Sequence, residues 1–338
     1  MHQPVSYMKA ITKHRYGGPE VLQLEEVAKP AVKDHHLLVR VKANSANPAD
    51  WHILRGAPFF ARFSFGLFKP KDPNLGADFS GTVEEEGHGV TDFKVGDNVF
   101  GESLKGGAFA EYICVSAKVC GTMPESAEFA TMAAVPIAGL TALQALITHG
   151  KLKEGESVLI NGASGGVGHF AVQIAKAYGA QVTGVCSSRN RDFVKSLGAD
   201  AVIAYDEENI HQHNHKYDLV LDTHGNLFLD DFKRMGQRGV VIGFTTMKHM
   251  VRLLISTLFS KFPLAQFTAQ ANTQDLETLA DLIQSQKVKA HLEKIYPHQQ
   301  IPEAIGYIEA MRTRGKVAMV WEDAEEVETL HEVVRNTN

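Results

Sequence analysis

Apolar and polar residues follow two rhythms along this chain. In the N-terminal third the rhythm is short. Met8 to Val27 reads as a strand, a turn at Gly17-Gly18-Pro19 and a second strand. Leu37-Leu-Val-Arg-Val-Lys42 alternates apolar with charged residues, as a half-buried antiparallel strand does. Asn47-Pro-Ala-Asp50 suits a turn into a short helix, and a loop dense in phenylalanine follows: Phe59, Phe60, Phe63, Phe65 and Phe68. Gly76–Val83, Phe93–Phe100 and Gly107–Val115 continue as short β segments punctuated by glycine. The pattern predicts an all-β first domain.

The second rhythm is slower. Ala127 to Leu146 reads as a helical bridge, after which strands and helices alternate. Ser157-Val-Leu-Ile160 is an apolar, β-branched run of the kind that forms a buried strand. A helix is read from Phe170, with Val172/Ala175 and Ile174/Tyr178 at helical spacing and Gly179 as its stop. Strands are predicted at Gln181–Cys186, Ala201–Tyr205, Leu219–Leu221 and Val240–Phe244, and alternation of this kind implies a parallel, doubly wound sheet. Helices at Leu276–Ser285 and Pro302–Thr313 and a strand at Gly315–Trp321 close the pattern. In the tail, Val327, Leu330 and Val334 share a helical face that could dock on the protein or on a partner subunit.

Chemistry enters between the first strand and the first helix of the alternating half. Asn161 to Gly168 reads NGASGGVG. A pyrophosphate sits at a helix N-terminus, where unpaired N–H groups and the helix dipole favour anions. Gly165 and Gly168 allow close approach to phosphate and close helix–strand packing, while Ala163 fills the first position of the usual GxGxxG. Strand, glycine turn, helix and strand together make a βαβ unit of the dinucleotide-binding kind.

Composition narrows the class. A chain of 338 residues suits two domains with their own cores, and 44% hydrophobic and 22% charged residues are those of an ordinary globular protein. A net charge of -5 supplies no basic field for nucleic acid. The opening MHQPVSYMKA has no signal-peptide core, and the apolar run Leu253–Phe259 is far too short to span a bilayer. Three cysteines, Cys114, Cys120 and Cys186, form no CxxC pair and no disulfide framework, so a reducing cytoplasm is expected.

The motifs YGGPEVL (Tyr16–Leu22), NPADWH (Asn47–His52), GADFSGTV (Gly76–Val83), KVGDNVFG (Lys94–Gly101), GLTALQAL, NGASGGVG, SLGAD (Ser196–Asp200) and RGKVAMV near the end lie in order over most of the chain. With them the sequence resembles the medium-chain dehydrogenase/reductases, and within these the zinc-independent quinone oxidoreductase and alkenal reductase branch. The resemblance implies an α/β fold with a GroES-like β domain (1–136, completed by 270–338) and a doubly wound parallel-sheet Rossmann domain (137–269), with NADPH in the cleft between them. Where zinc alcohol dehydrogenases carry ligands, this chain has Asn47, Ala77 and Ile137, and the four-cysteine structural lobe is absent. Alanine and isoleucine cannot coordinate zinc, so no metal is expected. The substrate expected is a conjugated carbonyl or a quinone, which spreads the charge that a metal would otherwise stabilise. The five-Phe loop is either an apolar substrate wall or packing, in a core or at the surface of a possible homodimer.

The resemblance also carries site residues. Asn47 and His52 are placed at the substrate; His52 donates a proton or hydrogen bond, or is a structural histidine, and Asp50 caps its own helix. For the cofactor it implies Thr141 near the nicotinamide amide, Ala163, Ser164, Gly165, Gly166, Val167 and Gly168 at the pyrophosphate, and Tyr205, Phe244 and Lys316 nearby; Lys316 could equally be a solvated surface lysine. The second strand ends in Cys186-Ser-Ser-Arg-Asn-Arg191 with no carboxylate, so Ser187 and Arg189 can hold a 2′-phosphate, Arg191 being either a neighbour or a solvent-facing charge. His211, His213 and His215 read as surface histidines rather than a metal site. Two other functions stand against reduction: a catalytically silent NADPH sensor that docks partners through residues 250–264 and the tail, and, more distantly, an alcohol dehydrogenase.

Overall fold

The computed structural model describes residues 6–244 and 246–321. Contacts divide them into two units. One takes the chain up to Ile137, then Ala271–Gln284 and the residues from Ala290 on; the other holds Ala138–Gln270 and Ser285–Lys289. The tail helix suggested by Val327, Leu330 and Val334 lies outside the described residues.

In chain order the first unit begins with β1 (Tyr7–Lys13) and β2 (Leu22–Ala28), an antiparallel hairpin, then β3 (His36–Ser45), α1 (Pro48–Arg55) and α2 (Arg62–Phe65). β4 (Asp78–Glu86), β5 (Asn98–Glu102), β6 (Tyr112–Ser116), β7 (Cys120–Thr122) and α3 (Phe129–Ala133) follow. The expected helical bridge is two helices, because Pro136 cannot continue α3 and instead opens α4 (Pro136–Leu143).

The second unit runs β8 (Ser157–Asn161), α5 (Gly166–Ala177), β9 (Gln181–Cys186), α6 (Arg191–Ser196), β10 (Ala201–Ala204), β11 (Tyr217–Asp222), α7 (Leu229–Met235), β12 (Gly236–Val241), α8 (Met247–Leu258) and β13 (Leu264–Gln266). All six strands are parallel, in the order β10-β9-β8-β11-β12-β13. That order, growing outward both ways from the first strand, defines a doubly wound sheet. Its core joins Leu159, Val185, Val220, Phe232 and Val241. The fifth strand ends at Val241, before the predicted Val240–Phe244, and Phe244 packs beyond it against that core.

The chain then returns to the first unit as α9 (Thr273–Gln284), β14 (Leu292–Pro297), α10 (Ile301–Glu309) and β15 (Lys316–Val320). A seven-stranded sheet results, β14-β15-β3-β4-β5-β7 with β6 also on β3. The predicted stretch of β3 alternates as expected, with Leu37, Val39 and Val41 in one core, Arg40 exposed and Lys42 half-exposed; Leu38, also buried, is the exception. This unit is not all-β, since α10 packs Ile301, Ile305 and Ile308 against Ile11, Leu54 and Met319. Between the two returning segments, Ser285–Lys289 stays with the second unit, where the Gln173 side-chain amide pairs with both the N–H and the carbonyl of Lys289 (2.9 Å each).

The glycine turn shows which glycines are required. The positive φ falls at Gly162 (83°), which the spacing argument passes over. Ala163 is fully buried and its N–H donates to the Val185 carbonyl at 2.9 Å. A methyl on Gly168 would lie 2.0 Å from the Gly162 oxygen, whereas one on Gly165 would meet nothing closer than 3.4 Å. We therefore expect Gly168→Ala to cost about 1–3 kcal/mol of stability through overpacking, and Gly165→Ala to fold nearly as wild type. Thermal unfolding of the two variants checks this, and equal midpoints would contradict the packing role of Gly168.

Candidate active site

The C-terminal ends of β8 and β11 are tied together below the turn. Asn161 Nδ2 donates to Asp222 Oδ1 (2.8 Å) and to Asn226 Oδ1 (2.7 Å). Buried Asp222 accepts in addition from the N–H groups of His224, Gly225 and Leu227. The twelve-residue α5 starts immediately above, with Gly165 as its N-cap and no side chain on that residue to block an anion. These features fit a pyrophosphate. Sequence reading missed Asp222, and an aspartate closing an apolar strand was the available signal.

After β9, Ser187 is buried and Arg189 exposed, while Asn190 Nδ2 donates to Ser164 Oγ at 3.1 Å and so joins this loop to the glycine turn. One expectation needs correction. A carboxylate does stand here, supplied from beyond β10: Asp206 accepts from the Ser188 N–H (2.8 Å) and Ser188 Oγ (2.7 Å), and these bonds hold its pKa below the ordinary value. Arg191 pairs with Glu207, whereas Arg189 makes no ion pair among the described residues. Tyr205 is exposed, its N–H bonded to the Cys186 carbonyl. Thr141 is buried on α4.

The first unit holds the other set. Asn47 is buried at the N-cap of α1, and its backbone N–H donates to Asp50 Oδ2 at 2.8 Å. Its Nδ2 donates to Asp78 Oδ2 (2.8 Å) and the Ser45 carbonyl (3.3 Å), and its Oδ1 accepts from Lys316 Nζ (2.5 Å). Lys316 Nζ also donates to the Ala46 carbonyl (3.2 Å) and lies 3.7 Å from Asp78 Oδ2; Asp78 Oδ1 accepts from the Ile137 N–H (3.0 Å). Two readings change. Both amide protons of Asn47 are committed, so it is not free to bond a substrate oxygen, and Lys316 is a buried counter-ion, not a solvated surface lysine.

Burial sets the electrostatics here. It pushes Asp50 up to about 7, against its bond from Asn47, and Glu102 up to about 8, with the Asp78 and Asp50 charges adding to the effect. Asp78 is also raised and Lys316 lowered, each partly restored by the other. Glu102 is the cross-strand partner of Asp78, and its Oε2 has no hydrogen-bond partner among the described residues.

His52 stacks on Trp51 with ring centroids 3.6 Å apart. It is half-buried, which holds its pKa below the ordinary value, and its Nδ1 is buried without a partner among the described residues. The five phenylalanines are all exposed, from 38% at Phe65 to 91% at Phe68, so core packing does not explain them. His211 pairs with Asp231, and His213 with Glu208 and the Tyr217 hydroxyl. Among the described residues no group of three or more His, Cys, Asp or Glu is arranged to hold a metal, and no helix is long and apolar enough to cross a membrane.

A doubly wound sheet with a glycine turn at its first strand, in a chain that also carries a β-rich unit, defines a dehydrogenase-type oxidoreductase that uses a nicotinamide cofactor. Comparisons give the family. The model of the alcohol dehydrogenase GroES-like domain matches residues 33–125, and that of the zinc-binding dehydrogenases matches 197–319, a span containing none of the three lost ligand positions. A chloroplast envelope quinone oxidoreductase homolog of Arabidopsis thaliana is 34% identical over 315 residues, 88% of this chain and 93% of that protein. An NADPH-dependent alkenal/one oxidoreductase of the same plant is 32% identical over 92% of this chain and 79% of its own length. The solved quinone oxidoreductase of Coxiella burnetii superposes with a TM-score of 0.85 at 31% identity, covering 94% of this chain and all of the other. The chain belongs to the quinone oxidoreductase and alkenal reductase branch of the medium-chain dehydrogenase/reductase family.

The raised carboxyl of Glu102 predicts a pH dependence. An acid with a folded pKa above its ordinary 4.5 stabilises the fold fully below that value, and the stabilisation is lost as pH rises through about 8. Glu102→Gln should therefore melt close to wild type at pH 5 and above it at pH 8.5. Parallel melting profiles across that range would rule out the assignment.

Proposed function

We propose that this protein is an NADPH-dependent reductase of α,β-unsaturated carbonyls or quinones that works without zinc. The observation carrying this reading is the hydrogen-bonded set Asn47–Asp78–Lys316, which uses the polar atoms of Asn47, one of the three expected ligand positions, internally. The names of the relatives, quinone oxidoreductase and alkenal/one oxidoreductase, point to the same substrates.

A nicotinamide cofactor supplies the hydride when bound. The α5 N-terminus and the glycine turn would hold its pyrophosphate, Ser187 and Arg189 would take the 2′-phosphate, and Tyr205 and Thr141 would complete its site. Arg189 can do so because it makes no ion pair among the described residues, whereas Arg191 pairs with Glu207. A saturated ketone concentrates new charge on one oxygen, whereas a conjugated acceptor spreads it, so hydrogen bonds can replace a Lewis acid. Of the two residues first assigned to that oxygen only His52 remains. Burial holds its pKa below the ordinary value, which favours the neutral ring at pH 7, and a neutral imidazole still carries one N–H to donate.

The test follows NADPH absorbance with but-2-enal, a benzoquinone and cyclohexanone, with and without chelator. We expect turnover of the first two, unaffected by chelator, and little of the saturated ketone. Arg189→Ala should raise KM for NADPH far more than for NADH, and His52→Phe should lower kcat on the alkenal about 10²-fold at an unchanged melting midpoint. Equal rates on cyclohexanone, or loss of activity with chelator, would sink the proposal.

A further inference from the structure

One pocket of about 310 Å³ lies wholly within the first unit and is not used by the reaction as derived above. It has Ala77 among its lining residues, and Ile53, Phe65 and Leu75 give it apolar walls. Lys13, at the end of β1, also lines it and is only 2% exposed. Its Nζ makes a single hydrogen bond, to the Asn74 carbonyl at 3.3 Å, although an ammonium carries three donors. Among the described residues no carboxylate lies within ion-pair distance of it. A buried ammonium left with unused donors is costly unless something compensates it.

The surrounding charges favour an anion as the compensating group. Lys71 and Lys105 also line the pocket. Of the two carboxyls there, Asp72 accepts from the backbone and side-chain N–H groups of Asn74, and Asp50 accepts from Asn47. Burial pushes Asp50 up to about 7, which weakens it as a counter-ion, and pulls Lys13 down to about 8, with Asp72 and Asp50 acting against that fall. Lys13 thus keeps most of its charge at neutral pH.

We propose that this pocket is an anion subsite that takes the carboxylate of a small planar unsaturated or aromatic acid, with Lys13 as its counter-ion. As a substrate subsite it rests on the reductase reading, which it deepens by naming acid-bearing conjugated compounds as substrates, but the binding itself does not need turnover. At this volume the pocket is at the small end of ligand sites, which suits a single ring.

Two redox-inert probes of matched shape test it: 4-hydroxybenzoate and its neutral amide, 4-hydroxybenzamide, titrated calorimetrically into the full chain. We expect the carboxylate to bind at least tenfold more tightly, and Lys13→Met to remove that preference. Should Lys13→Met not fold, Leu104→Trp at the pocket's exposed edge should weaken binding of the carboxylate tenfold or more. Equal binding of the two probes, no binding of either, a preference that survives Lys13→Met, or an unaffected Leu104→Trp would overturn the subsite. NADPH oxidation is measured in parallel. Carboxylate binding without turnover counts against the reductase reading alone, and turnover without carboxylate binding counts against the subsite alone.

Discussion

One lysine on the last strand holds the first unit's site in place. β15 pairs with the end of β3, and this register brings Lys316 Nζ to the Ala46 carbonyl and Asn47 Oδ1, beside Asp78 at the start of β4. Three segments far apart in sequence therefore meet at one cation: the stretch from the β3 end to the α1 N-cap, the β4 start and β15. Buried charges are tolerated only when each is paired and its remaining hydrogen-bonding capacity is filled. Here Asn47 bridges the pair, Ile137 caps Asp78, and Asp50 fixes the Asn47 backbone.

This arrangement holds the site's shape with hydrogen bonds and one ion pair alone. An asparagine that accepts from a lysine and donates to an aspartate joins its neighbours much as a metal joins its ligands, but offers no Lewis acid. What is left for chemistry is a hydrogen-bonding site suited to acceptors that share out their own charge. Asp50, Asp78 and Glu102, all raised by burial, make the unit's stability depend on pH. Asn47 matters through its packing and hydrogen bonds, and the stacked rings of Trp51 and His52 each keep a buried nitrogen without a partner among the described residues.

Local signals in the sequence were read well, and long-range ones were not. The glycine turn, α5 and β9 follow from residues adjacent in the chain, so NGASGGVG and its flanks could be placed directly. Gly162 was passed over because motif spacing marks where glycines stand, whereas φ depends on how Asn161 is tied to Asp222. The three-residue β13 and the late strand β14 carry too short a pattern to separate from loop, and Pro136 was read as part of a helix that it begins. Lys316 was ambiguous because nothing in RGKVAMV shows that its partners lie 269 and 270 positions away. Asp206 is hidden for the same reason: the carboxylate that Ser188 donates to comes from the turn after β10, 18 positions on, and not from the end of β9.

Coupling between Lys316 and Asp78 is what holds this site together. A double-mutant cycle with Lys316→Met and Asp78→Asn, followed by denaturant unfolding, measures it directly. Each single change should destabilise by about 3–5 kcal/mol, because it strands a buried partner, and the double variant should recover at least ~1 kcal/mol relative to the sum. Strictly additive effects would show that the two residues act independently, and the site would then be held by packing alone.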